Sequence, residues 1–172
     1  CGVVRRSRSR DSSRAVRVRP SSTARALPAF CTAQSASERS SSDVGKRPSV
    51  SLVIVNYNTA DQARQMVEGL GDGADEIVIV DNASPNGDVD VLRRLPAHVK
   101  VLALADNRGY GAGANAGSMI CTGEVIVVSN ADIGISAADL RSLAAEAYNE
   151  GVGLAGPRFV DATGSLVRSS HY

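Results

Sequence analysis

Two hydrophobic periods take turns along most of this chain, and their alternation predicts its architecture. Val50-Ser51-Leu52-Val53-Ile54-Val55, Glu76-Ile77-Val78-Ile79-Val80, Val99-Lys100-Val101-Leu102-Ala103-Leu104 and Val125-Ile126-Val127-Val128 are short runs in which branched apolar residues are nearly continuous. Runs of that length and composition read as strands covered on both faces, which points to a parallel sheet. Between them the period lengthens. Ala63, Met66, Val67 and Leu70 fall on one face of a helix from Ala60 to about Leu70, with Asn58 or Thr59 to cap it and Gly71 and Gly73 to end it. Asp88 can cap a short helix to about Leu95, stopped by Pro96, and Tyr110 to Cys121 reads as a helix of small residues. From Ser136 to about Glu150 the apolar face is Leu140, Leu143, Ala144 and Ala147; Val152 to Ala155 follows as a fifth short strand. Phe159 to Val167 reads as a hairpin turning at Ala162-Thr163-Gly164. Strand and helix thus alternate with short loops. The expected fold class is α/β, a three-layer α/β/α domain with a mainly parallel sheet.

The strand ends carry the chemistry. Right-handed crossovers put Asn56, Asp81, Asp106 and Asp132 on one edge of such a sheet, where ligands of open α/β folds bind. One Asn or Asp at a strand end is a turn former; four on one edge look like a ligand site. Amides and carboxylates suit a ribose, a base edge or a hard metal ion, but not a naked phosphate. A diphosphate held there would need neutralising, and Mg2+ or Mn2+ on oxygen ligands such as Asp132 would provide that. The helix from Tyr110 contains Gly111, Gly113 and Gly117, a poor helical composition that needs close approach to the sheet or to a ligand as its reason.

Charge divides the chain in two. Up to Pro48 there are 11 Lys/Arg against 3 Asp/Glu, and beyond it 8 against 15. The first segment is rich in Ser and Arg and poor in large apolar residues, so residues 1–48 are expected to be a disordered basic tail and residues 49–172 the folded domain. A solvated tail, an organellar leader and a nucleic-acid arm all suit that composition, although the absence of interleaved aromatics speaks against nucleic acid as a partner. Cys1, Cys31 and Cys121 have neither metal-ligand spacing nor a disulfide framework. No apolar run approaches the ~20 residues that span a bilayer. A cytoplasmic setting is the default expectation. There is no Walker lysine motif and no Gly-x-Ser-x-Gly elbow, which excludes a P-loop NTPase and argues against a serine hydrolase. Gly109-Tyr110-Gly111-Ala112-Gly113-Ala114 does match the Gly-x-Gly-x-x-Ala of a dinucleotide fold. However, it lies in the third βα unit, behind Asp106-Asn107-Arg108 rather than a tight turn.

Four motifs in order resemble the N-terminal half of a family 2 glycosyltransferase of the GT-A fold, of the rhamnosyltransferase type. They are Val53-Ile54-Val55-Asn56-Tyr57-Asn58, Val80-Asp81-Asn82-Ala83-Ser84, Asn107 to Gly117, and Asn130-Ala131-Asp132. The resemblance implies a nucleoside diphosphate sugar donor. Asn56, Tyr57, Asn58 and Asp81 would serve its base and ribose, Asn82 would be a further donor-binding residue, and Asn107, Gly109 and Asn115 would line the pocket. Asp132 would be the metal-binding acid of an Asp-x-Asp motif whose first carboxylate is here the amide of Asn130. It implies an inverting, metal-assisted transfer to a glycan or lipid-linked acceptor, at the inner face of a membrane with peripheral association. It also implies that the carboxylate base lies after Tyr172, so that this chain carries mainly the donor-binding half. A non-catalytic nucleotide-sugar binding remnant and a dinucleotide-binding oxidoreductase are the alternatives.

Overall fold

A computed structural model of the chain describes residues 2–5, 47–157 and 165. In chain order the elements are β1 (Gly2–Arg5), β2 (Val50–Asn56), α1 (Ala60–Leu70), β3 (Glu76–Asp81), α2 (Asp88–Leu92), β4 (Val99–Ala103), α3 (Tyr110–Ile120), β5 (Val125–Asn130), α4 (Ala137–Tyr148) and β6 (Leu154–Ala155). The strands form one sheet in the order β4-β3-β2-β5-β1-β6. Four of them, β4-β3-β2-β5, are parallel, and β1 runs antiparallel to both β5 and β6.

Helices cover both faces, as the continuous apolar runs require. On one face α1, α2 and α4 pack on Leu52, Ile54, Ile77, Ile79, Val125 and Val127. On the other, α3 lies against Val53, Val55, Val78 and Val80, with Ile126 and Val128 in the same cluster. The small residues of α3 are explained by this packing. A Cβ on Gly117 would lie 2.5 Å from Val53 Cγ1 and 2.8 Å from Val80 Cγ2, and one on Gly113 would lie 3.1 Å from Val55 Cγ1. The helix rides so low on the sheet that a Cβ has no room at Gly117 and would be tight at Gly113.

Several expectations need correction. Residues 1–48 are not wholly a tail, because Gly2–Arg5 forms a ladder with Val125–Val128 and Val3 is fully buried. Two apolar residues beside an arginine run carry too short a pattern to announce a strand. Residues 6–46 and the expected hairpin from Phe159, apart from Ser165, lie outside the described residues. The fifth strand shortens to Leu154–Ala155, and its recorded pairing is with β1. The short helix ends at Leu92, after which Arg94 and Leu95 donate to carbonyls three residues back. Capping is also exchanged between elements. Thr59 Oγ1 turns to Asn56 Oδ1, while Asp88 Oδ2 accepts from the Ala60 amide and so caps α1 instead of its own helix. Ser136 caps α4 as expected, its Oγ accepting from the Asp139 amide.

One crossing matters for the site. A Cβ on Gly73 would lie 2.8 Å from Ala137 Cβ, so α4 starts beside the residues that lead into β3. The chain therefore leaves the carboxyl end of β5, runs back along α1 over residues 131–136, and only then begins α4.

At the amino ends of the strands Glu76 ties the sheet together. Its carboxylate accepts from Ser51 Oγ on β2, Lys100 Nζ on β4, and the Thr122 amide and hydroxyl ahead of β5. Burial pushes this carboxyl up, but the bonds from Lys100, Ser51 and Thr122 outweigh it and set its pKa at about 2, below the ordinary 4.5. A carboxyl with a depressed folded pKa stabilises fully above its unfolded value, and that contribution is lost as pH falls from about 4.5 toward 2. Allowing for the exposed Lys100, it amounts to about 2 kcal/mol. Glu76→Gln should therefore lower stability at pH 7 by about that much, measured by urea unfolding, and narrow its gap to the unsubstituted chain below pH 3. A gap that does not narrow would show that the charge is not what counts.

Candidate functional site

The strand ends do converge, but in two sets with different fates. The first is an internal network. Asn56 is fully buried at the end of β2; its Nδ2 donates to Asp81 Oδ1 at 2.8 Å and to Asp88 Oδ2 at 3.0 Å. Its Oδ1 takes the Thr59 hydroxyl at 2.8 Å. Asp81, 1% exposed at the end of β3, also receives the Ser84 hydroxyl at 2.6 Å and the Ser84 amide at 3.1 Å. These atoms are already spent on one another. Asn56 and Asp81, expected to hold a donor's base and ribose, are here engaged with one another and with the loops beside them.

The second set is presented to solvent or held ready beneath it. Tyr57 is 47% exposed, and Asn58 beside it adopts a left-handed φ of 58°. The Asn58 amide donates to Ser84 Oγ, and its side-chain oxygen accepts from Asn86. Across the sheet Ala83 has a φ of 61°, strained for a residue with a Cβ. Strain of order 1 kcal/mol persists where surrounding contacts over-determine it, and such contacts gather at binding loops. Here the contacts are Asp81 and Ser84 on one side and Asn82 on the other.

Asn82 is the most informative residue. It is 3% exposed, and its Nδ2 donates to Asn107 Oδ1 at 2.9 Å. The Gly109 amide donates to the same Asn107 oxygen at 2.9 Å, which fixes which way Asn107 points. Gly109 itself has a φ of 90°, a conformation open to glycine, and it delivers this amide just before α3. The orientation of Asn82 follows from that of Asn107. Its Oδ1 is left buried with no hydrogen-bond partner among the described residues.

Asn130, the last residue of β5, and Asp132, two residues past it, are both exposed. Tyr110, at the start of α3, lies near enough to Asp132 to feel its charge. Burial pushes its phenol pKa up and the Asp132 carboxylate pushes it further. Beside Asp132 a groove of about 270 Å³ runs between Gln62, Gln65 and Met66 of α1 and the returning segment from Ala131 to Ile135. Among the described residues no cluster of three His, Cys, Asp or Glu could cage a metal. One carboxylate and one amide oxygen fit instead a hard divalent ion that takes its other oxygen ligands from phosphates and water.

Two expected members stand apart. Asp106 is a solvated turn residue, paired with Arg108 at 3.9 Å. Asn115 is half-buried on α3, two residues from each of the glycines that face the sheet. Within the dinucleotide-like run Gly109 to Ala114, Gly113, which is not one of the motif's defining positions, packs on Val55, whereas Gly111 has open space beside it. Sequence reasoning missed Asp88, Ala83 and Tyr110. Asp88 had a visible signal in a carboxylate following a Ser-Pro-Asn-Gly turn, but not one that pointed to β2.

Residues 51–172 match the model of glycosyl transferase family 2. The chain is 32% identical over 93 residues to the succinoglycan biosynthesis protein ExoO of Rhizobium meliloti (strain 1021), covering 52% of this chain and 27% of that protein. Among solved structures it is similar to the mannosyltransferase PcManGT from Pyrobaculum calidifontis, in complex with GDP-Man and Mn2+. There the identity is 26%, the TM-score 0.46, and the coverage 51% of this chain and 28% of that one. It is also similar to residues 1–349 of S. aureus TarS, with 22% identity, a TM-score of 0.45, and coverage of 58% and 32%. The chain thus spans about a third or less of the length of each of these relatives. With the family model running from the first residues of β2 through the strand-end motifs to Tyr172, the chain belongs to glycosyl transferase family 2.

Proposed function

We propose that these residues form the donor-binding part of a glycosyltransferase that takes a sugar from a nucleoside diphosphate. The observation that carries this reading is the buried, unpaired Oδ1 of Asn82. An acceptor sealed from water without a partner costs about 1–3 kcal/mol. A ligand that brings an N–H or O–H recovers that cost. The imide N–H of a pyrimidine base, the ring N–H of guanine and a ribose hydroxyl all qualify. The exposed Tyr57 ring lies in the adjoining loop, placed to cover the face of a base.

Asp132 and Asn130 would hold a divalent metal ion, Mg2+ or Mn2+, toward the diphosphate. When bound, that ion would neutralise the phosphates and favour their departure from the anomeric carbon. The protein's own part is to present Asp132 at the solvent edge, near Tyr110. We assign the acceptor to the class of glycan or lipid-linked hydroxyls and the transfer to the inverting type, as the resemblance of the four motifs taken together implies. Among the described residues no helix is long and apolar enough to cross a membrane. A membrane-bound acceptor would therefore be met by peripheral contact as far as these residues are concerned.

Calorimetric titration of the whole chain with UDP, dTDP and GDP, each with and without Mn2+ and with NAD as control, tests the proposal. One nucleotide should bind in a metal-dependent way. Asn82→Ala should weaken it about 10-fold or more with or without metal, because the lost bond is to the nucleoside. Failure of a folded chain to bind any of them would end the donor-site reading, and preference for NAD without metal would favour the dinucleotide alternative.

A further inference from the structure

Backbone strain and hydrogen bonds gather on one hydroxyl at the carboxyl ends of the strands. Among the described residues two residues other than glycine hold a left-handed φ, Asn58 at 58° and Ala83 at 61°. Ala83 immediately precedes Ser84, and the Asn58 amide donates to Ser84 Oγ at 2.9 Å. The direction of that bond is forced. An amide N–H cannot accept and a carboxylate only accepts, so the Ser84 proton goes to Asp81 Oδ1 at 2.6 Å and its lone pairs face Asn58. Asn56 Nδ2 approaches the same oxygen at 3.4 Å. The Ser84 amide, donating to Asp81 Oδ2 at 3.1 Å, closes the turn through Ala83.

The consequence falls on Tyr57. Its ring is exposed, yet the backbone on either side of it is tied down. Before it, Asn56 is fully buried; its carbonyl accepts from the Asn82 amide at 2.9 Å, and its side chain is engaged with Asp81, Asp88 and Thr59. After it, Asn58 is held by Ser84 through its amide and by Asn86 through its side-chain oxygen. A left-handed φ is disfavoured for a residue with a Cβ, so the turn at Asn58 persists because these bonds hold it. We propose that Ser84 is a positioning residue for the nucleoside. Its hydroxyl, directed by Asp81, locks the turn at Asn58 and so holds the Tyr57 ring ready for a base. The proposal rests on the donor-site reading above. A ring fixed before the ligand arrives avoids the ordering cost that a mobile loop incurs on binding, and affinity rises accordingly. Ser84 acts through Asn58 and Tyr57 rather than by touching the nucleotide.

Calorimetric titration of the whole chain with UDP, dTDP and GDP in the presence of Mn2+ supplies the baseline. Ser84→Ala should weaken the nucleotide that binds by about 5- to 10-fold, while Ser84→Thr, which keeps the hydroxyl, should stay within about 3-fold. Asn86→Ala, at an exposed position, should weaken it about 3-fold with the fold intact. A double-mutant cycle with Tyr57→Ala separates positioning from general loosening. Once the ring is gone, adding Ser84→Ala should cost less than about 2-fold more. Losses that multiply in full in the double variant would overturn the positioning role, as would a Ser84→Ala chain that binds like the unsubstituted one or a Ser84→Thr chain as weak as Ser84→Ala. Should Ser84→Ala not fold, Asn86→Ala carried through the same cycle decides by the same criterion. Failure of the folded, unsubstituted chain to bind any nucleotide would overturn the donor-site reading and this proposal together, whereas binding indifferent to Ser84 would overturn this one alone.

Discussion

Asp132→Ala is expected to remove metal-dependent nucleotide binding by about 100-fold or more, or about 2.7 kcal/mol, with almost no change in melting temperature. The carboxylate is exposed and forms no hydrogen bond or ion pair among the described residues, so little native structure depends on it. Substitutions at such positions usually shift stability by no more than about 0.5 kcal/mol. Asp81→Ala is expected to do the reverse at first order. It removes the acceptor for Asn56 Nδ2, the Ser84 amide and the Ser84 hydroxyl at once, in a network with 1% exposure at its centre. A loss of about 3 kcal/mol follows from leaving such donors buried and unpaired. Thermal melts and calorimetric titration of the two variants separate the roles. Should Asp132→Ala melt early, or Asp81→Ala keep full stability and lose only binding, the division between a solvent-facing and an internal set would be wrong.

The second large effect lies on the other face of the sheet, where two glycines of one helix should respond with opposite signs. Alanine is worth about 1 kcal/mol more than glycine in a helix interior. At Gly111 nothing lies within 4 Å of the new Cβ, so Gly111→Ala should stabilise the chain by a few tenths to about 1 kcal/mol. At Gly117 the new Cβ would meet Val53 Cγ1 at 2.5 Å and Val80 Cγ2 at 2.8 Å, both on fully buried side chains. Overpacking of this kind costs about 1–3 kcal/mol, which outweighs the helical gain. Gly117→Ala should therefore lower stability by about 1–2 kcal/mol, and Gly117→Val by more. Because α3 also carries Tyr110 toward Asp132, lifting the helix should weaken nucleotide binding as well. A stabilising Gly117→Ala would show that α3 can rise from the sheet without cost.

Much of this was legible in the residues themselves. The four parallel strands and α1 were placed closely by hydrophobic pattern, because a strand buried on both faces must be apolar throughout, and α3 by its run of small residues. Ser136 announced the start of α4, because its hydroxyl cap acts three residues away along the chain. The convergence of strand ends followed from the handedness of crossovers. What the sequence could not decide was which polar strand-end groups face inward. Asn56, Asp81 and Asp132 look alike as letters, yet the first two are consumed by Thr59, Ser84 and Asp88, partners up to 32 residues away, and the third faces water. Likewise the orphaned oxygen of Asn82 exists only because Gly109, 27 positions on, orients Asn107. Nor did Gly-Val-Val-Arg declare itself a strand; its place was set by pairing with Val125–Val128, more than a hundred residues along the chain. Local pattern determines elements because hydrogen bonding and side-chain periodicity are short-ranged. The roles of polar groups were decided by tertiary structure, because solvation and pairing depend on neighbours that only the folded chain brings together.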